Sequence, residues 1–149
     1  MSVDSIIAKQ DKNGAVRVVW CHFNGWLSHN GKLLLENYNT PEKIDALIDM
    51  GSMVHLGFEI GDKPHTLPNP TYVKKGKFII EHYFNSPCTF YGRDKNEDNF
   101  KSTRYKSLAN MKKNESAAFC YLWNGRGWKW CEDGHWSKLR LLKSTDIND

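Results

Sequence analysis

The feature that most constrains the fold is a turn-forming tetrapeptide, Asn124-Gly125-Arg126-Gly127, between two short aromatic runs. Residues 117–123 precede this turn and residues 128–132 follow it, before a second Gly-containing turn leads into residues 136–141. Turns of this composition between short apolar runs favour hairpins, because Asn and Gly tolerate a positive φ. The sequence therefore predicts a three-strand antiparallel meander in this region.

The meander predicts a row of aromatic side chains on one sheet face, called here the aromatic wall. The wall comprises Phe119, Tyr121, Trp123, Trp128 and Trp130. These rings share a face because side chains alternate along a strand and pair across a hairpin. They can form the hydrophobic core against helices, since a sheet in a small α+β domain buries one face. They can also stack nucleobases while Arg126 and Lys129 hold phosphate, and the sequence leaves both interpretations open.

A second hairpin is predicted near the start of the chain. Asn13-Gly14 separates two short apolar runs at residues 5–8 and 16–23. Asn-Gly in that setting is a strong hairpin signal. The chain therefore begins with a predicted β-hairpin.

Two short helices are predicted after this hairpin. Asn30 can cap the first helix, over residues 31–38. Thr40 is a suitable N-cap for the second, with Pro41 at the first helical position and Gly51 as the left-handed residue that ends it. These helices can cover one face of the hairpin.

The middle of the chain gives weaker signals. Residues 61–77 hold three prolines and read as an irregular connection, and residues 78–84 are strand-like. Residues 94–101 are polar and predict a loop, followed by a short helix through residues 108–111. No internal repeat divides the chain.

The composition is that of one ordinary globular domain. The 149 residues are 40% hydrophobic and 26% charged, which is too apolar for disorder, and their number suits one core. We therefore predict a single α+β domain over residues 1–143, followed by a polar tail at residues 144–149. Its elements are an antiparallel β-hairpin and a C-terminal three-strand meander, with two or three short helices.

We expect the protein to stay in the cytoplasm. No window approaches the ~20 consecutive apolar residues of a membrane span, and the start Met-Ser-Val-Asp-Ser lacks a signal-peptide profile. Without an export signal, Cys21, Cys88, Cys120 and Cys131 are expected to be reduced thiols rather than a disulfide framework.

The formal charge of +4 is unevenly distributed along the chain. Three groups of cations stand out: Lys74, Lys75 and Lys77; Lys101, Arg104, Lys106, Lys112 and Lys113; and Lys138, Arg140 and Lys143. Such groups can attract a nucleotide, a nucleic acid or an acidic protein surface. Solvated faces of strands and helices give the same pattern, so the charge alone selects no partner.

Signals for catalysis or metal binding are weak. The sequence contains no Gly-Lys-Ser/Thr phosphate loop, no Gly-x-Gly-x-x-Gly, no His-Glu-x-x-His and no Gly-x-Ser-x-Gly. Cys21 and His22 are adjacent, and adjacent strand residues point to opposite faces, so they cannot form a nucleophile and base pair with each other. Cysteines 120, 131 and 88 with His135 match no zinc-ligand spacing. No cofactor and no metal is expected.

A polar cluster at Tyr91-Gly92-Arg93-Asp94 is a further candidate site. Arg93 can bind phosphate or carboxylate with two parallel hydrogen bonds while Asp94 holds it from the side. An internal ion pair between the two is the equal alternative. The candidate binding residues are Tyr91, Arg93, Trp123, Arg126, Trp128, Lys129 and Trp130.

The stretch from Cys21 to Gly57 carries the clearest resemblance to a known family. It contains Cys-His-Phe-Asn-Gly-Trp, then Gly-Lys-Leu-Leu-Leu-Glu-Asn-Tyr, then Leu-Ile-Asp-Met-Gly. This resembles the core pattern of a family of small phage- and prophage-encoded proteins of unassigned function. The resemblance is thinner at residues 88–95 and 121–128, and Asn24 stands where relatives often carry Asp.

The resemblance implies an accessory protein that blocks host defence or redirects host machinery. Because the sequence assembles no reactive centre, we expect action by binding a host protein or complex rather than by turnover. Two alternatives stay open: sequestration of a nucleotide-derived immune signal, and non-specific nucleic-acid binding. The last of these predicts an affinity that falls steeply with salt.

Overall fold

The computed structural model describes residues 3–62 and 86–147. Its strands are β1 (Ser5–Gln10), β2 (Val16–Cys21), β3 (Met53–His55), β4 (Thr89–Phe90), β5 (Thr103–Tyr105), β6 (Phe119–Trp123), β7 (Trp128–Glu132) and β8 (Arg140–Leu141). Its α-helices are α1 (Lys32–Asn37), α2 (Pro41–Asp49), α3 (Tyr91–Lys95) and α4 (Leu108–Asn114). A π-helical turn covers Leu27–Gly31, and 3-10 turns cover Trp136–Lys138 and Ser144–Asp146.

Within these residues all eight strands belong to one mixed sheet. The order is β4-β3-β2-β1-β6-β7-β8, with β5 pairing alongside β2. The predicted α+β class, with hairpins and short helices, is confirmed. No helix in the described ranges has the length and apolar character needed to cross a membrane.

The opening hairpin is confirmed. β1 and β2 pair antiparallel, with Ser5 opposite Cys21 and Gln10 opposite Val16. Gly14 in the turn has a φ of +91°, which is the conformation that the Asn-Gly signal predicts. β2 ends at Cys21, two residues before the predicted end, because the chain turns there and Asn24 takes a φ of 61°.

The meander is confirmed in its first two strands and corrected in its third. Trp123 lies opposite Trp128 and Tyr121 opposite Trp130, which is the predicted register. The third strand contains only Arg140–Leu141, because Trp136 begins a 3-10 turn. The Trp136 indole is buried and donates to Glu115 O at 3.0 Å, which holds this segment against the sheet face instead of along its edge.

A parallel pairing of β1 with β6 joins the two hairpins into one sheet. Ile7 lies beside Tyr121 at the centre of this pairing, with all of their side-chain surface buried. The sequence predicted the hairpins but not this pairing, because no local pattern encodes which strands meet across more than a hundred residues. The central β1–β6 pair therefore places the opening hairpin directly beside the hairpin that carries the aromatic wall.

The sheet is covered on both faces. One buried cluster contains the aromatic wall with residues from α1 and α2, such as Leu34, Ile44 and Leu47. The other contains Val16, Leu122, Met111 of α4 and other residues. A single core had been expected, whereas the central strands contribute to two.

The predicted caps of α2 are confirmed, whereas the predicted Asn30 cap of the first helix is wrong: Gly31 is the N-cap of α1, without a side-chain cap hydrogen bond, and Asn30 lies in the preceding π-helical turn. Thr40 Oγ1 accepts a hydrogen bond from Lys43 N at 3.3 Å, Pro41 is the first helical residue, and Gly51 has a φ of +86°. The first predicted helix begins at Lys32 and follows a π-helical turn. The predicted loop at residues 94–101 is corrected at its start, since α3 extends to Lys95.

Three predictions lie outside the described residues. They are the strand at residues 78–84, residues 63–77 of the irregular connection, and the basic group at 74–77.

An ion network fastens the opening hairpin to α2. Arg17 donates to Asp11 through Nε and Nη2, at 3.2 and 3.1 Å, and to Asp49 at 3.2 Å. Asp45 accepts from Arg17 and, at 2.7 Å, from Lys9. The side chains of Lys9, Asp11, Arg17 and Asp45 are all partly exposed. The network therefore contributes to the placement of α2 without a large desolvation cost.

Acid should weaken this network. Burial opposes the ionisation of Asp45, but hydrogen bonds and charge from Lys9 and Arg17 outweigh it and hold its pKa below the usual range. A carboxyl with a depressed folded pKa contributes stability that is present above its unfolded pKa and is lost as the pH falls through the folded value. We expect wild type to lose more stability than Asp45→Asn as the pH falls below about 3.9.

Urea unfolding at a series of pH values measures this difference. Asp98→Asn is the matched control, since Asp98 is an exposed carboxylate outside the network; this variant keeps the network and should lose stability in acid as wild type does. Parallel pH profiles for wild type and Asp45→Asn would contradict the role given to this carboxylate.

Candidate binding surface

The structure places the aromatic wall in the hydrophobic core. The tryptophans retain 7% (Trp123), 1% (Trp128) and 5% (Trp130) of their exposure, and Trp128 Nε1 donates to Tyr38 O at 2.8 Å. Rings buried to this degree offer no face to a nucleobase. The stacking interpretation of Trp123, Trp128 and Trp130 is therefore corrected in favour of the core interpretation.

The two cations predicted to flank the wall do not do so. Arg126 is exposed at the hairpin turn. Lys129 pairs with Leu141 on the sheet face opposite Trp128 and Trp130. The cation that contacts the wall is Arg140, whose guanidinium lies 4.3 Å from the centroid of the Trp130 ring. In the sequence Arg140 was noticed only as a member of a basic group. Its contact with Trp130 depends on how β7 and β8 pair, and that pairing is not readable from the sequence.

Arg93 is engaged within the protein. Its Nε and Nη2 donate to the two carboxylate oxygens of Asp94 at 2.9 and 3.1 Å, and its Nη1 and Nη2 donate to Gly61 O and Cys88 O. The Asp94 side chain has no exposed surface and also accepts from Phe90 N at 2.7 Å. The ligand-binding interpretation of Arg93 is thus corrected in favour of the internal ion pair.

The predicted site residues do not converge on one place. Tyr91 and Arg93 follow β4 at one edge of the sheet, whereas Trp128, Lys129 and Trp130 belong to β7 near the other. Five strand spacings separate β4 from β7, which is about 24 Å. These residues therefore cannot contact one small ligand together.

The Cys-His-Phe-Asn-Gly-Trp motif forms a tightly held loop, called here the 22–26 loop. Asn24 takes the left-handed conformation, which Asn tolerates better than most residues. Gly25 is needed for close approach: a Cβ there would lie 2.4 Å from Asp4 O. The buried Tyr121 hydroxyl donates to Gly25 O at 2.6 Å, and Trp26 O accepts from two backbone N–H groups of the π-helical turn. The loop backbone is therefore rigid.

A buried polar network supports this loop from below. The Asn30 side chain is fully buried, and its Nδ2 donates to Ser5 Oγ at 3.0 Å, Phe23 O at 3.3 Å and Cys21 Sγ at 3.4 Å. Asn30 Oδ1 lies 2.8 Å from His29 Nδ1. Burial raises the pKa of the Cys21 thiol to about 12 and lowers the pKa of His29 to about 4. A neutral thiol beside a neutral imidazole suits structural support and not nucleophilic attack.

Two aromatic side chains of the 22–26 loop point into solvent. Trp26 is 48% exposed and Phe23 is 37% exposed. Backbone hydrogen bonds hold the turn and leave about half of the Trp26 indole free. Exposed large aromatic side chains on a rigid backbone are typical of interaction sites.

A first aromatic row extends from Phe23 across the sheet. Successive ring centroids are 4.3 Å apart for Phe23 and His22, 5.0 Å for His22 and Trp20, 6.3 Å for Trp20 and Tyr91, and 4.1 Å for Tyr91 and Phe100. Tyr91 is the one predicted site residue in this row. Trp20 and His22 could have been found from strand alternation, which puts both on the face opposite Cys21.

A second aromatic row extends from Trp26 to the rim of the core. The Trp26 ring lies 6.0 Å from Phe119, and Phe119 lies 6.4 Å from Trp130, over which Arg140 is placed. The two rows start on the same loop, so aromatic surface continues around one end of the sheet. Trp26 and Phe23 are its most prominent members.

The charges beside the first row are mainly negative. A groove of about 270 Å³ adjoins Phe100 and is lined by Asp49, Glu97, Asp98 and Lys101 among others. The Trp20 indole itself donates to Asp4 at 3.3 Å. Asp49 is paired with Arg17, so Glu97 and Asp98 against Lys101 leave a small excess of negative charge at this end of the row, which disfavours nucleotides and nucleic acid.

The four cysteines lie at three separate places. Cys21 belongs to the network below the 22–26 loop, and Cys88 contacts Tyr38 OH at 3.3 Å and Gly57 N at 3.2 Å. Cys120 and Cys131 lie opposite each other in β6 and β7. Across residues 3–62 and 86–147, no cluster of three His, Cys, Asp or Glu side chains has the arrangement of a metal site.

Comparisons with models of protein families, with curated proteins and with solved structures gave no match to this chain.

Proposed function

We propose that this chain is a phage-encoded accessory protein of the host cytoplasm that binds a host protein or complex and blocks its activity, with the 22–26 loop as the contact surface. The observation that carries the proposal is Trp26, half exposed on a backbone that buried hydrogen bonds hold in place. The resemblance of the surrounding motif to small phage proteins supports the host target. The antiviral-defence role follows from that resemblance.

The energetics of the loop favour binding. Tryptophan and tyrosine dominate the free energy of protein interfaces, and a loop already fixed in its bound shape loses little entropy on association. The Trp26 backbone is fixed by the π-helical turn and the Gly25 carbonyl is fixed by Tyr121. Burial of the free half of the indole is then available to stabilise a complex.

A protein target fits this surface better than a nucleotide. The three wall tryptophans that had been proposed to stack bases are buried, and Arg93 is bound internally. Carboxylates adjoin the outer end of the first aromatic row. A protein surface can match aromatic rings and carboxylates together, whereas a phosphate group is repelled by the carboxylates.

Removing the Trp26 side chain should abolish most of the binding and leave the fold intact. We expect Trp26→Ala and Phe23→Ala each to weaken the complex by more than ten-fold, because solvent-exposed aromatic anchors typically contribute more than 1.4 kcal/mol. The melting temperature should change by about 2–4 °C or less. The partner is isolated by pull-down from host extract with mass spectrometry of proteins and small molecules, and the affinities are then measured by calorimetry with purified components.

Leu141→Ala is the matched control, since Leu141 is 50% exposed on β8, away from the 22–26 loop. It should bind like wild type. Unchanged affinity in both loop variants would show that the 22–26 loop is not the contact surface. Recovery of a nucleotide without a stoichiometric polypeptide would favour sequestration of a nucleotide signal instead. Multiple-turnover consumption of a substrate by the purified chain would overturn the binding role.

A further inference from the structure

We propose that Cys120 and Cys131 are a thiol modification site that forms a reversible intramolecular disulfide across β6 and β7. This inference is independent of the proposed binding function. Cys120 and Cys131 are direct partners in the antiparallel register. Cys21 and Cys88 are hydrogen-bonded elsewhere in the fold, so the pair at β6 and β7 is well separated from them.

The backbone geometry at this pair is compatible with a disulfide. Asn124 N bonds to Gly127 O and Asp133 N bonds to Ala118 O, and alternation along the ladder makes Cys120 and Cys131 a hydrogen-bonded pair. Cα atoms of such a pair are about 5.5 Å apart, which is within the range of natural disulfides. Their Cβ atoms must approach by up to about 1 Å, so the bond is formed with some strain.

The two thiols already interact. A hydrogen bond from Cys131 lowers the pKa of Cys120, and the same bond raises the pKa of Cys131. The pair therefore contains one sulfur with enhanced thiolate character beside one that donates to it. The two sulfur atoms are therefore hydrogen-bonding neighbours, and this proximity is what the second thiol needs to resolve a mixed disulfide formed on the first.

Cys131 lines a groove of about 260 Å³ together with Glu132, His135, Lys138 and Arg140, although its own surface is only 1% exposed. An oxidant therefore reaches its sulfur when β7 opens locally. Among the described residues the outer neighbour of β7 in the sheet is the two-residue β8, so local opening is less costly here than at the centre of the sheet. Cys120 lies behind it in β6, fully buried.

The reaction is a thiol–disulfide exchange with glutathione disulfide as the oxidant. Local opening of β7 exposes Cys131 and breaks its hydrogen bond to Cys120; Cys131 then loses its proton to solvent and attacks one glutathione sulfur, which forms a mixed disulfide and releases one glutathione. The Cys120 thiolate then attacks the Cys131 sulfur and releases the second glutathione. Two cysteine thiols are oxidised by two electrons, and glutathione disulfide is reduced to two glutathione molecules. The strain makes the product reducible by excess glutathione.

The test incubates the reduced, folded chain with mixtures of glutathione disulfide and glutathione, followed by thiol counting, intact mass and peptide mapping. We expect two of the four thiols to be lost and a mass lower by two hydrogens. The linked peptides should contain Cys120 and Cys131, and excess glutathione should restore all four thiols. Cys88→Ser is the matched control and should oxidise like wild type.

Cys131→Ser should form no internal disulfide, and circular dichroism establishes that this variant is folded. The wild-type measurement is decisive by itself. Three outcomes would overturn the proposal: four intact thiols in a mixture that oxidises the urea-unfolded chain, a persistent glutathione adduct, or a bond that joins other cysteines.

Discussion

Trp128→Ala should lower the free energy of unfolding by about 3–5 kcal/mol, the largest effect expected from any single change to the aromatic wall. The side chain is 1% exposed, lies 5.6 Å from the Trp123 ring, and donates its indole N–H to Tyr38 O. Truncation leaves a large cavity between β7 and α1 and an unsatisfied carbonyl. For a chain of this size the melting temperature should fall by about 6–20 °C.

Trp26→Ala is the matched control, because it makes the same chemical change at a half-exposed position. It should cost about 1 kcal/mol or less. Chemical denaturation of both variants measures the contrast. If both tryptophans proved equally dispensable for stability, the assignment of Trp128 to the core and Trp26 to the surface would be wrong.

Arg93→Ala should lower the free energy of unfolding by about 2–4 kcal/mol. The Asp94 carboxylate has no exposed surface, so losing Arg93 leaves a buried charge without its bidentate ion pair, while Phe90 N still donates to it. The same change also removes the links from Arg93 to Gly61 O and Cys88 O. A melting temperature lower by about 4–16 °C is expected.

Arg126→Ala removes the same side chain from an exposed turn and should change stability by about 0.5 kcal/mol or less. The double variant Arg93→Met, Asp94→Asn should be less destabilised than the sum of the two single changes, because it leaves no unpaired charge. Calorimetric melting of wild type, Arg93→Ala, Arg126→Ala, the double variant and its two single variants completes the comparison. A stable Arg93→Ala protein that had lost partner binding would instead restore Arg93 as a contact residue.

These two predictions follow from the alternatives that the structure favours for Arg93 and Trp128, the internal ion pair and the hydrophobic core, over the binding roles that the sequence left open. Both side chains have the chemistry of binding residues, and chemistry alone does not distinguish a ring or guanidinium that contacts a ligand from one that contacts its own chain. The two residues of the 22–26 loop now proposed as contacts belong to the motif that carried the family resemblance.

Local structure was readable from the sequence. The Asn-Gly turns, the Thr40 and Pro41 start of α2 and the register of β6 against β7 all depend on residues within a few positions of one another. Steric limits on φ and ψ, cap hydrogen bonds and side-chain alternation act at that range, and they need no knowledge of the rest of the chain. The α+β class followed from these elements.

The tertiary structure alone decided which aromatic residues are buried and which are exposed. The parallel pairing of β1 with β6 placed Tyr121 below the 22–26 loop, where its hydroxyl holds Gly25 and leaves Trp26 in solvent. It also placed α1 over Trp128. Burial depends on which distant segments meet, and the free energy of that meeting is summed over the whole interface and not encoded in any short run of residues.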